Sequence, residues 1–128
     1  MDELVVWLRA QLDEDERIAR SASDGPWKPG VRSGLDVVEG DGWTVCDASD
    51  VDVVHIAAHD PARVLREIDA KRQLLALHQE KQEQGYGTDL CAECGFGEVS
   101  QSYYPCATLR LLTLPYADRP GYREEWRP

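Results

Sequence analysis

Val5, Leu8, Leu12 and then Ile18 or Ala19 recur near helical spacing, which predicts an amphipathic helix from about Glu3 to Arg20 with Asp2 as its N-cap. Its opposite face carries the consecutive acids Asp13, Glu14, Asp15 and Glu16, the pattern of a solvated surface. Gly25, Pro26 and Pro29 then end the helix and turn the chain, with Trp27 placed as a core anchor. Beyond them Leu35 to Glu39 and Trp43 to Asp47 form two β-prone runs around Gly40-Asp41-Gly42, a hairpin joined by residues that tolerate positive φ. A two-stranded hairpin is marginal in water, so it needs a covering helix or a third strand, available from Trp27 to Arg32. Trp43 and Val45, two residues apart, are expected to share its buried face.

The remaining pattern is helical. Val51 to Ala58 reads as a short helix, and Asp60-Pro61 is a strong start signal for a second, with Asp at the cap and Pro in the first turn. Val64, Leu65, Ile68, Leu75 and His78 trace its apolar stripe through roughly Pro61 to Glu83, until Gly85 and Gly87 break it. The expected fold class is α+β: a helical protein with a small antiparallel hairpin or sheet, one long central helix and a C-terminal segment that carries Cys91, Cys94 and Cys106 and is read as zinc-binding. A chain of 128 residues suits one domain. Residues 1–60 would hold the first helix, hairpin and short helix, and residues 61–128 the long helix and the zinc-stabilised segment.

Cysteine spacing supplies the chemistry. Cys91-Ala-Glu-Cys94 is followed by Gly95 and Gly97, which allow the tight turn that aims two thiolates at one tetrahedral ion. Cys106 follows Pro105 at the start of a helix through Leu109, Leu111 and Leu112, where the helix dipole favours a thiolate. His78 is the natural fourth ligand, so the expectation is one structural Zn2+ on His78, Cys91, Cys94 and Cys106. Four protein ligands leave no position for water or substrate, and such a site contributes folding free energy rather than catalysis. Three alternatives stand beside it: a redox pair of Cys91 and Cys94, which lacks the βαβ setting; inert buried thiols; and a four-cysteine site of the kind that holds an iron-sulfur cluster, with Cys46 in place of His78.

A net charge of −10 with 30% charged residues argues against a phosphate-tracking surface and is easier to reconcile with a basic or neutral protein partner. Arg63, Arg66, Lys71 and Arg72 interleave with Glu67 and Asp69, as a solvated helix face does. Leu4 to Leu8 runs straight into acids, so neither a signal peptide nor a spanning helix fits, and a cytoplasmic setting is expected with no membrane contact. There the cysteines should be metal ligands or free thiols, not disulfides.

The chain also resembles a known family in three stretches. These are the acidic first helix ending before Gly25-Pro26-Trp27, the run His55-Ile-Ala-Ala-His59-Asp-Pro-Ala-Arg-Val-Leu-Arg66, and Tyr104-Pro-Cys-Ala-Thr-Leu-Arg-Leu-Leu-Thr-Leu-Pro-Tyr-Ala117 with Arg123-Glu-Glu-Trp126. Over nearly its whole length it is similar to a family of small uncharacterised proteins of actinobacteria and their phages. The resemblance implies a phage-linked or accessory setting and the same order of elements. It carries no activity and no catalytic residue.

No Gly-rich phosphate loop and no GxSxG elbow is present, so no catalytic or cofactor-binding residue is assigned. The preferred reading is a non-enzymatic, zinc-stabilised interaction or regulatory protein, meeting its partner through the acidic helix or through the aromatic tail of Tyr103, Tyr104, Tyr116, Tyr122 and Trp126. A metal-dependent hydrolase using His55, His59 and Asp60 is the second reading, although no Glu sits between the histidines as in HExxH proteases. A redox sensor on the cysteines is the third.

Overall fold

The computed structural model describes residues 2–31, 34–40, 42–82, 89–95 and 103–128. Its elements run α1 (Glu3–Ser21), β1 (Trp27–Pro29), β2 (Asp36–Glu39), β3 (Thr44–Asp47), α2 (Asp50–Ala58), α3 (Pro61–Leu77), β4 (Glu80–Gln82), β5 (Asp89–Cys91) and α4 (Ala107–Thr113), with short 3-10 turns at Leu114–Tyr116 and Glu124–Trp126. The class is α+β, as expected from the change of period along the sequence. Two compact units are present: Asp13–Asp69, and Met1–Leu12 together with Ala70–Pro128. Among the described residues no helix is long and apolar enough to cross a membrane.

In the unit of Asp13–Asp69 the third strand forms, and β1, β2 and β3 make an antiparallel sheet in that order. Val37 packs with Val53 and Ala57 of α2, and Trp27, Val45, Cys46, Ala48 and Ile56 surround them. Trp27 is held from a second side, because its indole Nε1 donates to the Ser23 carbonyl at 3.0 Å. The expectation that Trp43 and Val45 share a buried face does not hold. Val37 pairs with Cys46 and Val38 with Thr44, so Val45 is the extra residue of a bulge and the period of two breaks there. Trp43 stands just outside β3 with its side chain 75% exposed, while its carbonyl still accepts the Glu39 N–H at 2.9 Å and closes the hairpin.

In the unit of Met1–Leu12 and Ala70–Pro128, Asp2 Oδ1 accepts the Leu4 N–H at 2.9 Å and starts α1 as a cap should. Leu4, Leu8, Leu12 and Leu109 are fully buried, and Thr113 among them satisfies its hydroxyl on the Arg110 carbonyl at 2.7 Å. Later in α1 it is Ala19 that is buried, and Ile18 is half exposed. The aromatic tail is docked: Trp126 lies 5.4 Å from Trp7 and 5.9 Å from Tyr122, centroid to centroid, and the Trp7 indole donates to the Pro120 carbonyl at 3.1 Å. Arg123 pairs with Glu3 and lies over the Trp126 ring.

Gly121 lets this docking happen. Its φ is +88°, and a Cβ there would stand 2.8 Å from Trp7 Nε1. Gly121→Ala is therefore expected to destabilise the protein by about 1–3 kcal/mol, the sum of backbone strain and a displaced indole. Chemical denaturation reads the change, and an unaltered midpoint would disprove the close approach.

The long helix is shorter than expected. α3 ends at Leu77 rather than near Glu83, and Glu80–Gln82 turns into β4, paired with β5 from Glu80↔Cys91 to Gln82↔Asp89. Gln79-Glu80-Lys81-Gln82 offers no apolar residue to carry the stripe of Ile68, Leu75 and His78 another turn, and strand pairing satisfies that backbone instead. Gly85 and Gly87, the expected breakers, lie outside the described residues.

Candidate metal centre

The end of α3 delivers His78. Its N–H still bonds to the Leu74 carbonyl at 3.0 Å, so the residue takes one last helical hydrogen bond while its ring leaves the helix. Directly after it the Ala92 N–H donates to the Gln79 carbonyl at 2.8 Å, which fixes the β4–β5 hairpin against the histidine. Cys91 closes β5, and the turn beyond it folds back through the Gly95 N–H onto the Cys91 carbonyl at 3.3 Å. Gly95 adopts φ +57°, the left-handed conformation that the CxxC turn requires. Gly97 lies outside the described residues. Cys106 is the N-terminal flank of α4, with extended backbone.

These four side chains meet. Their ligand atoms all lie within 4.8 Å of one another, with His78, Cys91 and Cys106 buried and Cys94 half-buried. His78 Nδ1 stands 3.3 Å from Cys91 Sγ, 3.5 Å from Cys106 Sγ and 3.7 Å from Cys94 Sγ. One imidazole nitrogen has either one lone pair or one proton and can serve one hydrogen-bond partner well, not three. Bonds of about 2.3 Å to sulfur and 2.0–2.1 Å to nitrogen put N···S edges of a zinc tetrahedron at about 3.6 Å. The three separations bracket that length. No disulfide competes, since the four cysteines of the chain are free.

Without an ion, the surroundings of Cys94 and Cys106 favour the protonated thiol. Burial pushes the Cys94 thiol up to about 12, with further contributions from its hydrogen bonds and charge interactions with Cys91 and Cys106. Burial likewise raises Cys106. Thiols crowded in a poorly solvated place resist becoming thiolates one beside another, and a divalent ion at their centre reverses that preference. The arrangement suits a structural centre with a closed coordination shell and is compatible with zinc.

The other sequence candidates go elsewhere. Cys46 is not in the group; it sits in β3 against the Val37, Val53 and Ala57 core, so the four-cysteine alternative lacks its fourth thiol. His55, His59 and Asp60 do not gather as ligands among the described residues. Both Asp60 oxygens face backbone donors, Oδ1 the Arg63 N–H at 2.8 Å and Oδ2 the Trp27 N–H at 3.2 Å, so this buried carboxylate caps α3 and ties it to β1. His59 Nδ1 donates to the His55 carbonyl at 2.8 Å, and the two rings lie 4.3 Å apart. Asp60→Ala should cost about 1–3 kcal/mol of stability, Asp60→Asn much less, because an amide oxygen can still cap. Metal content should stay at the parent's value in both, and a fall in bound metal in either would return Asp60 to the ligand list.

Sequence reasoning found the four-residue cluster but missed the β4–β5 hairpin that presents half of it. The polar run after His78 has weak strand propensity and no alternation to read. It also left unnoticed that α2 is apolar on two sides, although Val51, Val54 and Ala58 were there to be counted.

Neither the curated proteins nor the solved structures hold a match to the chain. The model of one protein family, a family of unknown function (DUF6221), matches residues 1–128.

Proposed function

We propose, from the premise that the chain belongs to this family of unknown function (DUF6221), that it is a non-enzymatic interaction or regulatory protein stapled by one structural zinc ion. The observation that carries the metal half is the convergence of three sulfurs on the single Nδ1 of His78 at tetrahedral-edge distances. His78, Cys91, Cys94 and Cys106 would be the ligands, and the ion would supply a Lewis-acidic centre that neutralises thiolate charge and fixes the ends of α3, β5 and α4 to one point. With every coordination position held by protein, the centre is suited to shape and not to turnover. The functional weight then falls on the surface that this scaffold presents, and the net charge of −10 favours a protein partner over nucleic acid.

Elemental analysis tests the metal half. The purified protein should carry one zinc per chain, lost in Cys91→Ser, Cys94→Ser, Cys106→Ser and His78→Ala and kept in Cys46→Ser. Iron, a second equivalent of metal, or no metal in the parent would overturn the reading. Crosslinking in the native cell followed by identification of attached chains tests the interaction half, and catalytic turnover without any specific attached chain would refute it.

A further inference from the structure

α2 is short and apolar on both sides. Val53 and Ala57, four residues apart, are buried with Ile56 half-buried beside them, and this face packs on Val37 of the sheet. The other face repeats the helical spacing outward: Val51 and Val54 are 72% and 61% exposed, and His55 and Ala58 are exposed as well. Positions 51, 54, 55 and 58 fall at i, i+3, i+4 and i+7, the anchor pattern by which one helix face is read by another. A helix apolar all round is normally buried all round, and here only one side is.

Charge says what covers it. Residues 33–62 contain seven Asp or Glu and no Lys or Arg. Asp50 and Asp52 open α2 itself; Asp50 Oδ1 accepts the Val51 N–H and Asp52 Oδ2 accepts the Ser49 hydroxyl, which sets both carboxylates at the rim of the stripe. The nearest cation along the chain, Arg63, is committed to Glu67 and to the Ala58 carbonyl. Two copies of this surface would set like charges against each other, whereas a cationic partner would find complementary ones.

We propose that the Val51, Val54, His55 and Ala58 face of α2 is a docking surface for a basic amphipathic helix of another protein, whose apolar stripe covers the valines while its Lys and Arg flanks meet Asp50 and Asp52. The inference rests on the interaction half of the function above and not on its metal half.

A synthetic helical peptide of leucine and lysine, with leucines at i, i+3, i+4 and i+7, serves as the probe, beside a scrambled peptide of the same composition. Titrated into the protein as purified, the amphipathic peptide should bind at least about tenfold more tightly than the scrambled one, and Val51→Ser with Val54→Ser should abolish that preference. Val54→Asp sharpens the reading, since it adds attraction for lysine while removing apolar contact, and affinity should still fall. Far-UV circular dichroism and metal content of each variant, expected to match the parent, separate a lost surface from a lost fold or a lost ion. Equal binding of both peptides, unchanged affinity in the serine variant, or self-association of the parent through this face would overturn the proposal. A parent that binds the peptide as expected yet carries no metal would refute the zinc reading and leave this one standing.

Discussion

Chelation of the metal is expected to lower the melting temperature of the loaded protein by roughly 10–20 °C, and each ligand substitution should do at least as much. A ligand that binds only the folded state stabilises it by about 4 kcal/mol when present at a thousand times its dissociation constant, and about 1 kcal/mol moves the midpoint of a chain this size by several degrees. The hairpin that carries Cys91 is thin: β4 and β5 are three residues each, and the isolated bridge Leu90↔Tyr103 is the further strand pairing there among the described residues. An isolated hairpin of that length is not stable in water. Acid should release the ion as well, because protons compete for three sulfurs and an imidazole, and zinc release should accompany the loss of structure. Differential scanning calorimetry with and without chelator decides the matter, and coincident transitions would show that the cluster contributes no folding free energy.

Trp126→Ala is expected to cost about 3–5 kcal/mol, close to the whole stability of a marginal domain, while Trp43→Ala should cost under about 1 kcal/mol. The two side chains are chemically identical and differ in surroundings. Trp126 is 7% exposed, set against Trp7 and Tyr122 and covered by the Arg123 guanidinium, whereas Trp43 stands largely in solvent beside a bulge. Removing the first leaves a cavity among rings that cannot close in; removing the second leaves water where water already was. Urea titration followed by circular dichroism gives both values, and comparable costs would mean that the tail does not dock as described.

The docked tail also changes where a partner should be sought. An aromatic surface of Tyr103, Tyr104, Tyr116, Tyr122 and Trp126 was one of the two faces that the sequence suggested; the packing of Tyr116 and Trp126 withdraws both from solvent, while Tyr103 is 42% exposed. The acidic run of α1 is partly engaged within its own helix, through Glu14 with Arg17 and Glu16 with Arg20, at exposed pairs worth little to stability. α2 differs from the scattered exposed side chains elsewhere, such as Trp43 and Leu111, in setting Val51 and Val54 on one helix face.

Much of this protein was readable from local pattern. The helix from Glu3, the hairpin around Gly40 to Gly42, the cap at Asp60 and the cysteine pair with its turn glycine all follow from rules that act within a few residues: capping, period, positive φ and ligand spacing. His78 could be joined to Cys91, Cys94 and Cys106 because metal chemistry demands a fourth donor, a constraint that reaches beyond local sequence. Tertiary structure alone decided which side of each pattern was used. The bulge at Val45 turned Trp43 outward, strand pairing with Asp89–Cys91 ended α3 at Leu77, and Pro120-Gly121 approached Trp7 closely enough to seat the tail. In each case a backbone group or an indole found its partner more than a few residues away, and nothing in the local order of side chains specifies which distant group that will be.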